Sequence, residues 1–264
     1  MIDTHLHFDD PKFDGNRQEL IDGLAKHGID FVINNSCDMK TMLAGVELAE
    51  RNERIFATVG MHPHEAKTYN AEFVTKMQEL ASHPKVVAVG EIGLDYYYDL
   101  SERSVQRDVF AEQLEIADKL HLPVTLHVRD AYGDAADILH AQRKFLNSGV
   151  LWHCYSGSAE FARQMAKKGH YFAFGGAITF KNANKEEVLA EIPILQVLSE
   201  TDSPYMAPVP LRGTVNTPYN IPLVVAKMAE IYGVTENEME NIILQNALKF
   251  FPKIQEYRIR EGRK

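Results

Sequence analysis

Short apolar segments alternate with longer amphipathic stretches along the whole chain. Eight of the apolar segments are rich in β-branched or aromatic residues, which is typical of strands buried on both faces. They are Ile2 to His7, Asp30 to Asn35, Ile55 to Gly60, Val86 to Glu91, Pro123 to Val128, Val150 to Cys154, Tyr171 to Gly175 and Ile194 to Glu200. Between them, the spacing of apolar positions predicts helices near Gln18–Ala25 and Val105–Leu120, the second starting close to Ser101.

Strands that alternate with helices predict a parallel sheet with right-handed crossovers. Because eight such units close a barrel, the expected fold is an α/β protein with a single (β/α)8 TIM barrel. A doubly wound open sheet is the alternative. No linker divides the 264 residues, so we expect one domain over 1–264, in which the charged tail 252–264 is frayed or lies on the surface.

Charge and composition exclude several functional classes. The chain has 28 Lys and Arg against 37 Asp and Glu, a net charge of −9, so no broad basic surface is available for extensive binding of duplex nucleic acid. The start of the chain lacks the features of a signal peptide, and no apolar stretch is long enough to span a membrane. We therefore expect a cytoplasmic protein without membrane contact, and its oligomeric state stays open.

Side chains that can bind metal ions lie at the ends of several predicted strands. Two of them are separated by one residue on the first strand, which places both imidazoles on one face. In a barrel, strand ends meet at the C-terminal rim, where catalytic residues gather. Four imidazoles and two carboxylates are more than one tetrahedral zinc binds, and they suit two divalent cations. These residues are His5, His7, Glu91, His127, His153 and Asp202.

Seven ordered motifs carry a resemblance to a known family. They are DTHLHFDD at 3–10, GMHPHEA at 60–66, AVGEIGLDYYYD at 88–99, PVTLHVRDA at 123–131, WHCYSGSAE at 152–160, FGGAITFKNA at 174–183 and ETDSPY at 200–205. Through them the chain resembles the TatD-type metal-dependent deoxyribonucleases of the amidohydrolase superfamily, from Ile2 to about Phe251. The resemblance implies a (β/α)8 barrel with a binuclear metal centre. It implies that one metal ion is held by His5, His7, Glu91 and Asp202, and the other by Glu91, His127 and His153.

One loop departs from the family pattern. After the last ligand the family commonly reads RGKRNEP, whereas this chain reads RGTVNTP at 212–218. Two cationic positions and one acidic position are thus replaced by uncharged residues. If those cations bind a phosphate backbone in the family, this chain differs from the family in its affinity for nucleic acid or in its substrate. The predicted metal ligands are the same.

The working hypothesis is hydrolysis of a phosphodiester, at the end of single-stranded DNA or in a small phosphoester, by water activated between two divalent cations. Asp202 is the candidate general base, with a purely ligating role as the alternative. His62 and Arg129 are candidates for binding the phosphate, with orientation of the metal ligands as the alternative for both. Mixed imidazole and carboxylate ligands suit Zn²⁺, Mn²⁺, Fe²⁺ or Ni²⁺, and Mg²⁺ in vitro.

Other interpretations stay open at this point. The same site suits hydrolysis of a phosphotriester, lactone, amide or aminoacyl ester, because neither the fold nor the set of metal ligands determines which bond is hydrolysed. A metal-stabilised barrel that binds a partner and has lost catalysis is a third possibility, although the complete set of candidate ligands argues against it. The three tyrosines at 96–98 could stack on a base or pack a loop over the barrel rim. His64, after Pro63, is interpreted as a turn residue.

Overall fold

The computed structural model describes residues 1–183 and 185–262. Eight parallel strands form one sheet in the order β1 to β8, the strand order of a (β/α)8 barrel. Seven of the eight are buried along their whole length. The strands are β1 (Ile2–Leu6), β2 (Phe31–Asn34), β3 (Ile55–Val59), β4 (Val86–Asp95), β5 (Val124–Arg129), β6 (Val150–Trp152), β7 (Tyr171–Phe174) and β8 (Val197–Ser199).

Each strand is followed by a helix. Apolar residues at helical spacing, such as Phe110, Leu114 and Ala117, give the helices a buried face. In the described part of the chain no helix has both the length and the apolarity needed to cross a membrane. The helices are α1 (Arg17–Gly23), α2 (Met39–Arg51), α3 (Ala71–Ala81), α4 (Arg103–Lys119), α5 (Tyr132–Ala141), α6 (Ala159–Ala166), α7 (Lys185–Ala190), α8 (Ile221–Tyr232), α9 (Glu236–Phe250) and α10 (Pro252–Arg260).

The chain divides into two compact units. The first comprises Met1–Asn34, Asn52–Ile55 and Cys154–Lys249. Within it β1 lies beside β8, since Thr4 Oγ1 donates to the Ser199 carbonyl at 3.0 Å. The second unit comprises Asn35–Arg51, Phe56–His153 and Phe250–Lys264, and contains β4, β5 and β6 in neighbouring positions. The single domain over 1–264 stays a prediction.

Most strand boundaries lie close to the predicted ones, but the fourth and eighth strands differ. β4 continues beyond Glu91 to Asp95, because this apolar stretch stays paired with β5 up to Arg129. The eighth strand begins at Val197, since Ile194–Gln196 forms a 3-10 turn after Pro193. The extension of β4 brings four further residues into the neighbourhood of β5.

Of the two alternatives for 252–264, a frayed segment and one that lies on the surface, the described residues fit the second. Pro252–Arg260 forms helix α10, in which Ile254 is buried. Lys253 Nζ donates to the carbonyls of Ala81 and His83 at 3.1 and 2.8 Å. The Tyr257 ring adds a contact with Phe56, at 5.4 Å between ring centroids, so the helix is held within the second unit while most of its other side chains face solvent. Residues 263 and 264 lie outside the described residues.

Candidate metal-binding site

His5, His7 and Asp202 lie together in the first unit. The imidazole rings of His5 and His7 have centroids 5.1 Å apart at the end of β1. Asp202 Oδ1 is 3.6 Å from His7 Nε2 and 4.0 Å from His5 Nε2. We call these three residues the first cluster; its nitrogen and oxygen donors are of the types that bind divalent cations.

Backbone hydrogen bonds place Asp202 beside β1. Its N–H donates to the His5 carbonyl at 2.9 Å, and the next residue pairs with Leu6. Buried Asp3 accepts a hydrogen bond from the Thr201 N–H at 2.9 Å, and burial raises the pKa of Asp3 to about 7. Sequence reasoning missed Asp3, although its position two residues before His5 puts both on one face of the strand.

Glu91, His127 and His153 lie together in the second unit and form the second cluster. Glu91 Oε1 is 2.8 Å from His127 Nδ1 and 3.0 Å from His153 Nε2. One donor atom from each residue lies within 4.8 Å of the others. Two imidazole nitrogens and a carboxylate oxygen fit a divalent cation. The structure therefore places these three groups for metal binding.

A close approach of β4 to β5 sets the geometry of the second cluster. Gly93 lies opposite His127 in the strand register and has φ +143°. A Cβ atom on Gly93 would lie 2.0 Å from the His127 carbonyl oxygen. Only glycine fits at this position without a backbone shift.

His62 adjoins the second cluster in a specific protonation state. Its Nε2 is 3.7 Å from Glu91 Oε1, and its Nδ1 accepts the N–H of His64 at 3.1 Å. Burial, followed by the neighbouring His127, holds the pKa of His62 well below its usual value, so the ring is neutral. A neutral imidazole that accepts at Nδ1 carries its proton on Nε2. His62 is therefore a hydrogen-bond donor on the side that faces Glu91.

Asp95 is a second carboxylate that sequence reasoning missed. Its Oδ2 is 2.9 Å from both His127 Nε2 and His64 Nε2. Burial alone would raise the pKa of Asp95, but the hydrogen bonds from His127 and His64 outweigh it and hold the pKa well below its usual value. The charged carboxylate thus orients His127 so that Nδ1 faces Glu91. The available signal was its position four residues after Glu91, on the same face of the strand.

His64 and Arg129 have surroundings that the sequence did not reveal. His64 lies in the 3-10 turn Pro63–Thr68, as a turn residue should, and its ring contacts Asp95 as well. Arg129 ends β5, and its guanidinium lies 3.8 Å from the centroid of the Tyr97 ring. The assignment of Arg129 to phosphate binding stays a prediction.

In the divergent loop 212–218, Asn216 is buried and hydrogen-bonded, and two of the three replaced positions, 214 and 215, are exposed. The buried Asn216 donates from its N–H to the Pro204 carbonyl at 3.0 Å, and from Nδ2 to the Thr201 carbonyl at 2.8 Å. Val215, by contrast, is 51% exposed. The loop is therefore held to the segment that carries Asp202, while a position where the family has a cation presents an apolar side chain to solvent.

Comparisons with known sequences agree with the resemblance. A family model described as TatD related DNase matches residues 2–252. A Bacillus subtilis protein named uncharacterized metal-dependent hydrolase YabD is 36% identical, over 95% of this chain and 98% of its own length. A Cronobacter turicensis protein named 3'-5' ssDNA/RNA exonuclease TatD is 32% identical, over 96% of this chain and 98% of its own length.

A solved structure extends this similarity to three dimensions. The crystal structure of YjjV, a TatD homolog from Escherichia coli K12, matches with a TM-score of 0.89 and 30% sequence identity. The match covers 96% of this chain and 98% of that chain. The predicted (β/α)8 fold is thereby confirmed.

Proposed function

The chain belongs to the family of TatD-related DNases, and from this premise we propose that it is a nuclease that shortens single-stranded DNA from an end. It is a metal-dependent hydrolase, as its relatives are named. The observation that carries the proposal is the second cluster, in which two imidazoles surround one oxygen of Glu91. The activity named for the Cronobacter relative supports the choice of substrate.

We assign the metal ligands of the proposed enzyme by cluster. Glu91, His127 and His153 hold one divalent cation, and His5, His7 and Asp202 contribute to holding a second. The sharing of Glu91 between the two ions stays a prediction, as do the number and identity of the ions. When bound, such cations polarise a phosphate oxygen and lower the pKa of a coordinated water.

The residues of the chain have separate roles in this proposal. Asp202 accepts a proton from the attacking water, with its backbone held by the His5 carbonyl. His62 donates a hydrogen bond from its Nε2–H to a phosphate oxygen and keeps the proton, as its neutral state with Nδ1 accepting allows. Arg129 supplies a permanent positive charge for a phosphate. These roles require only a short length of substrate.

The charge of the molecule favours attack at a chain end. A net charge of −9 and uncharged residues at 214 and 215 argue against an extended cationic track for a polymer. A few local contacts are enough to hold a terminal nucleotide. We therefore propose an exonuclease rather than an endonuclease that tracks along duplex.

The test is incubation of metal-loaded protein with an end-labelled single-stranded oligonucleotide. We expect progressive shortening by the wild type and none by Glu91→Ala, because this substitution removes the oxygen shared by two imidazoles of the second cluster. Glu50→Ala, at an exposed position of α2, is the matched control and should be active. If wild-type protein leaves DNA and RNA intact with Zn²⁺, Mn²⁺, Mg²⁺, Ni²⁺ and Fe²⁺, the nuclease proposal is wrong.

A second candidate function is hydrolysis of a small ester, lactone, amide or phosphotriester. The exposed Val215 favours it, since an apolar side chain at this position suits a substrate with fewer phosphates. A panel of model esters, lactones and amides tests this candidate with the same Glu91→Ala control. Turnover of a panel member without shortening of the oligonucleotide would favour the second candidate.

A further inference from the structure

Two adjacent tyrosines are exposed in the turn that follows β4. Tyr97 and Tyr98 are 58% and 53% exposed, and their ring centroids are 4.8 Å apart at an angle of 89°. Their neighbour Tyr96 is half-buried and donates its hydroxyl to Asp134 at 2.7 Å. Tyr96 therefore has a packing role, while more than half of the surface of Tyr97 and of Tyr98 is exposed to solvent and accessible to a ligand.

One carboxylate ties this turn to the second cluster. Asp95 Oδ1 accepts the N–H groups of Tyr97 and Tyr98 at 3.0 and 2.9 Å. Its other oxygen contacts His127, a member of the second cluster. The ring of His64 lies 5.4 Å from that of Tyr98. The exposed rings and the candidate metal ligand thus share a single buried anchor.

A cation lies against the same two rings. Arg129 Cζ is 3.8 Å from the centroid of Tyr97 and 5.0 Å from that of Tyr98. Within 1–183 and 185–262, no carboxylate forms an ion pair with Arg129, whereas Arg103 after the same turn is paired with Asp99 at 2.6 Å. A guanidinium that lies over the face of an aromatic ring keeps its N–H donors available around its own edge, in its own plane, which is the geometry that binds phosphate.

We propose that Tyr97, Tyr98 and Arg129 form a nucleotide-binding subsite. A base of the substrate stacks on the tyrosines, and the phosphate attached to it binds Arg129. Such stacking accepts every base but needs an unpaired one, so the subsite selects single strands without reading sequence. This inference rests on the proposed nuclease function and adds that the enzyme recognises bases as well as phosphates.

The test measures binding of two labelled strands of equal length to the full-length protein in the presence of a chelator, which prevents hydrolysis. One strand is an oligothymidylate and the other is the same deoxyribose-phosphate chain without bases. From the usual strength of base–aromatic stacking, we expect the wild type to bind the oligothymidylate about tenfold more tightly. The double variant Tyr97→Ala/Tyr98→Ala should bind both strands equally.

Two further variants separate stacking from charge and from misfolding. Tyr97→Phe/Tyr98→Phe is the matched control, because it keeps both rings and should keep the tenfold preference. Arg129→Ala should weaken binding of both strands by a similar factor, since each carries the phosphates. A thermal unfolding temperature of the alanine variant within a few degrees of the wild type shows that a lost preference is not a loss of fold.

The outcomes distinguish this inference from the nuclease proposal. Equal or unmeasurable binding of both strands by the wild type would overturn the subsite, as would an unchanged preference in the alanine variant. A preference that depends on the tyrosines, found in a protein that shortens no strand with any metal, would support the subsite and contradict the nuclease proposal.

Discussion

Asp95 acts on the candidate metal site at the scale of a single side chain. Asp95 accepts a hydrogen bond from His127 Nε2 at 2.9 Å, which leaves Nδ1 to face Glu91. A carboxylate behind a metal-binding imidazole fixes its orientation and raises its basicity. Asp95 is therefore a positioning residue, since it acts through His127.

Replacement of Asp95 by asparagine should weaken metal binding. Asn keeps the shape of the side chain but removes the charge that orients His127, and loss of such a partner typically costs about 10–100-fold in metal affinity. The measurement is competition for Zn²⁺ with a chromophoric chelator. His64→Gln is the matched control, because it removes the other partner of Oδ2 and leaves the bond to His127. Equal zinc affinities of Asp95→Asn and the wild type would show that the carboxylate does not position the ligand.

At the scale of elements, the pairing of β4 with β5 determines where Glu91 and His127 meet. The strands approach so closely at Gly93 that a methyl group there would overlap the His127 carbonyl. The positive φ of Gly93 adds a conformational cost for any other residue. The geometry of the second cluster thus requires glycine, with no side chain, at position 93.

Gly93→Ala should lower the free energy of unfolding by about 3 kcal/mol, from overlap and backbone strain together. It should also reduce zinc binding, because the shift needed to relieve the overlap moves His127. Urea unfolding and the chelator competition measure the two effects. Gly133→Ala in α5, where a Cβ has nothing within 4 Å, is the control and should stabilise the protein by less than about 1 kcal/mol. An alanine at 93 that leaves stability unchanged would contradict the close approach.

At the scale of the whole molecule, the acidic charge limits how many phosphates the protein neutralises. About two phosphate contacts with a single strand predict that oligonucleotide affinity falls less than about tenfold between 50 and 200 mM salt. Fluorescence anisotropy at several salt concentrations gives the slope. A hundredfold loss over this range would indicate an extended cationic groove and contradict binding at a chain end.

Folding stability should depend on pH through His170, which is buried just before β7. Burial, with a smaller contribution from Lys168, lowers the pKa of His170 to about 4 from its usual 6.5. As pH falls below 6.5, His170 is protonated in the unfolded chain but stays neutral in the folded protein. The free energy of unfolding, which is highest above pH 6.5, therefore decreases as the pH falls toward 4. Between pH 7 and pH 5, His170 should lower the free energy of unfolding by about 2 kcal/mol.

Urea unfolding at pH 7 and pH 5 measures this dependence. His170→Gln should lose about 2 kcal/mol less than the wild type over the same interval. His140→Gln, at an exposed position of α5, should follow the wild type. Identical pH dependence of all three proteins would mean that His170 does not titrate with a lowered pKa.

The fold was predictable because its strands are buried. Continuous apolar segments, such as Ile55–Val59, occur where both faces of a strand are covered, so they mark strands without knowledge of their neighbours. The same reasoning is weaker at chain ends and short turns. It assigned Ile194–Gln196 to a strand and did not predict the helix at Pro252–Arg260, because both depend on what the segment packs against.

The sequence by itself determined the succession of eight strands and helices, the family, and the side chains that could bind metal, because periodicity and motif spacing are local properties. Tertiary structure alone decided which atoms meet. Asp95 contacts His64 across 31 positions and His127 across 32, and no local pattern encodes such contacts. Likewise, the protonation state of His62 and the exposure of Tyr97 follow from burial, which is set only when distant elements pack.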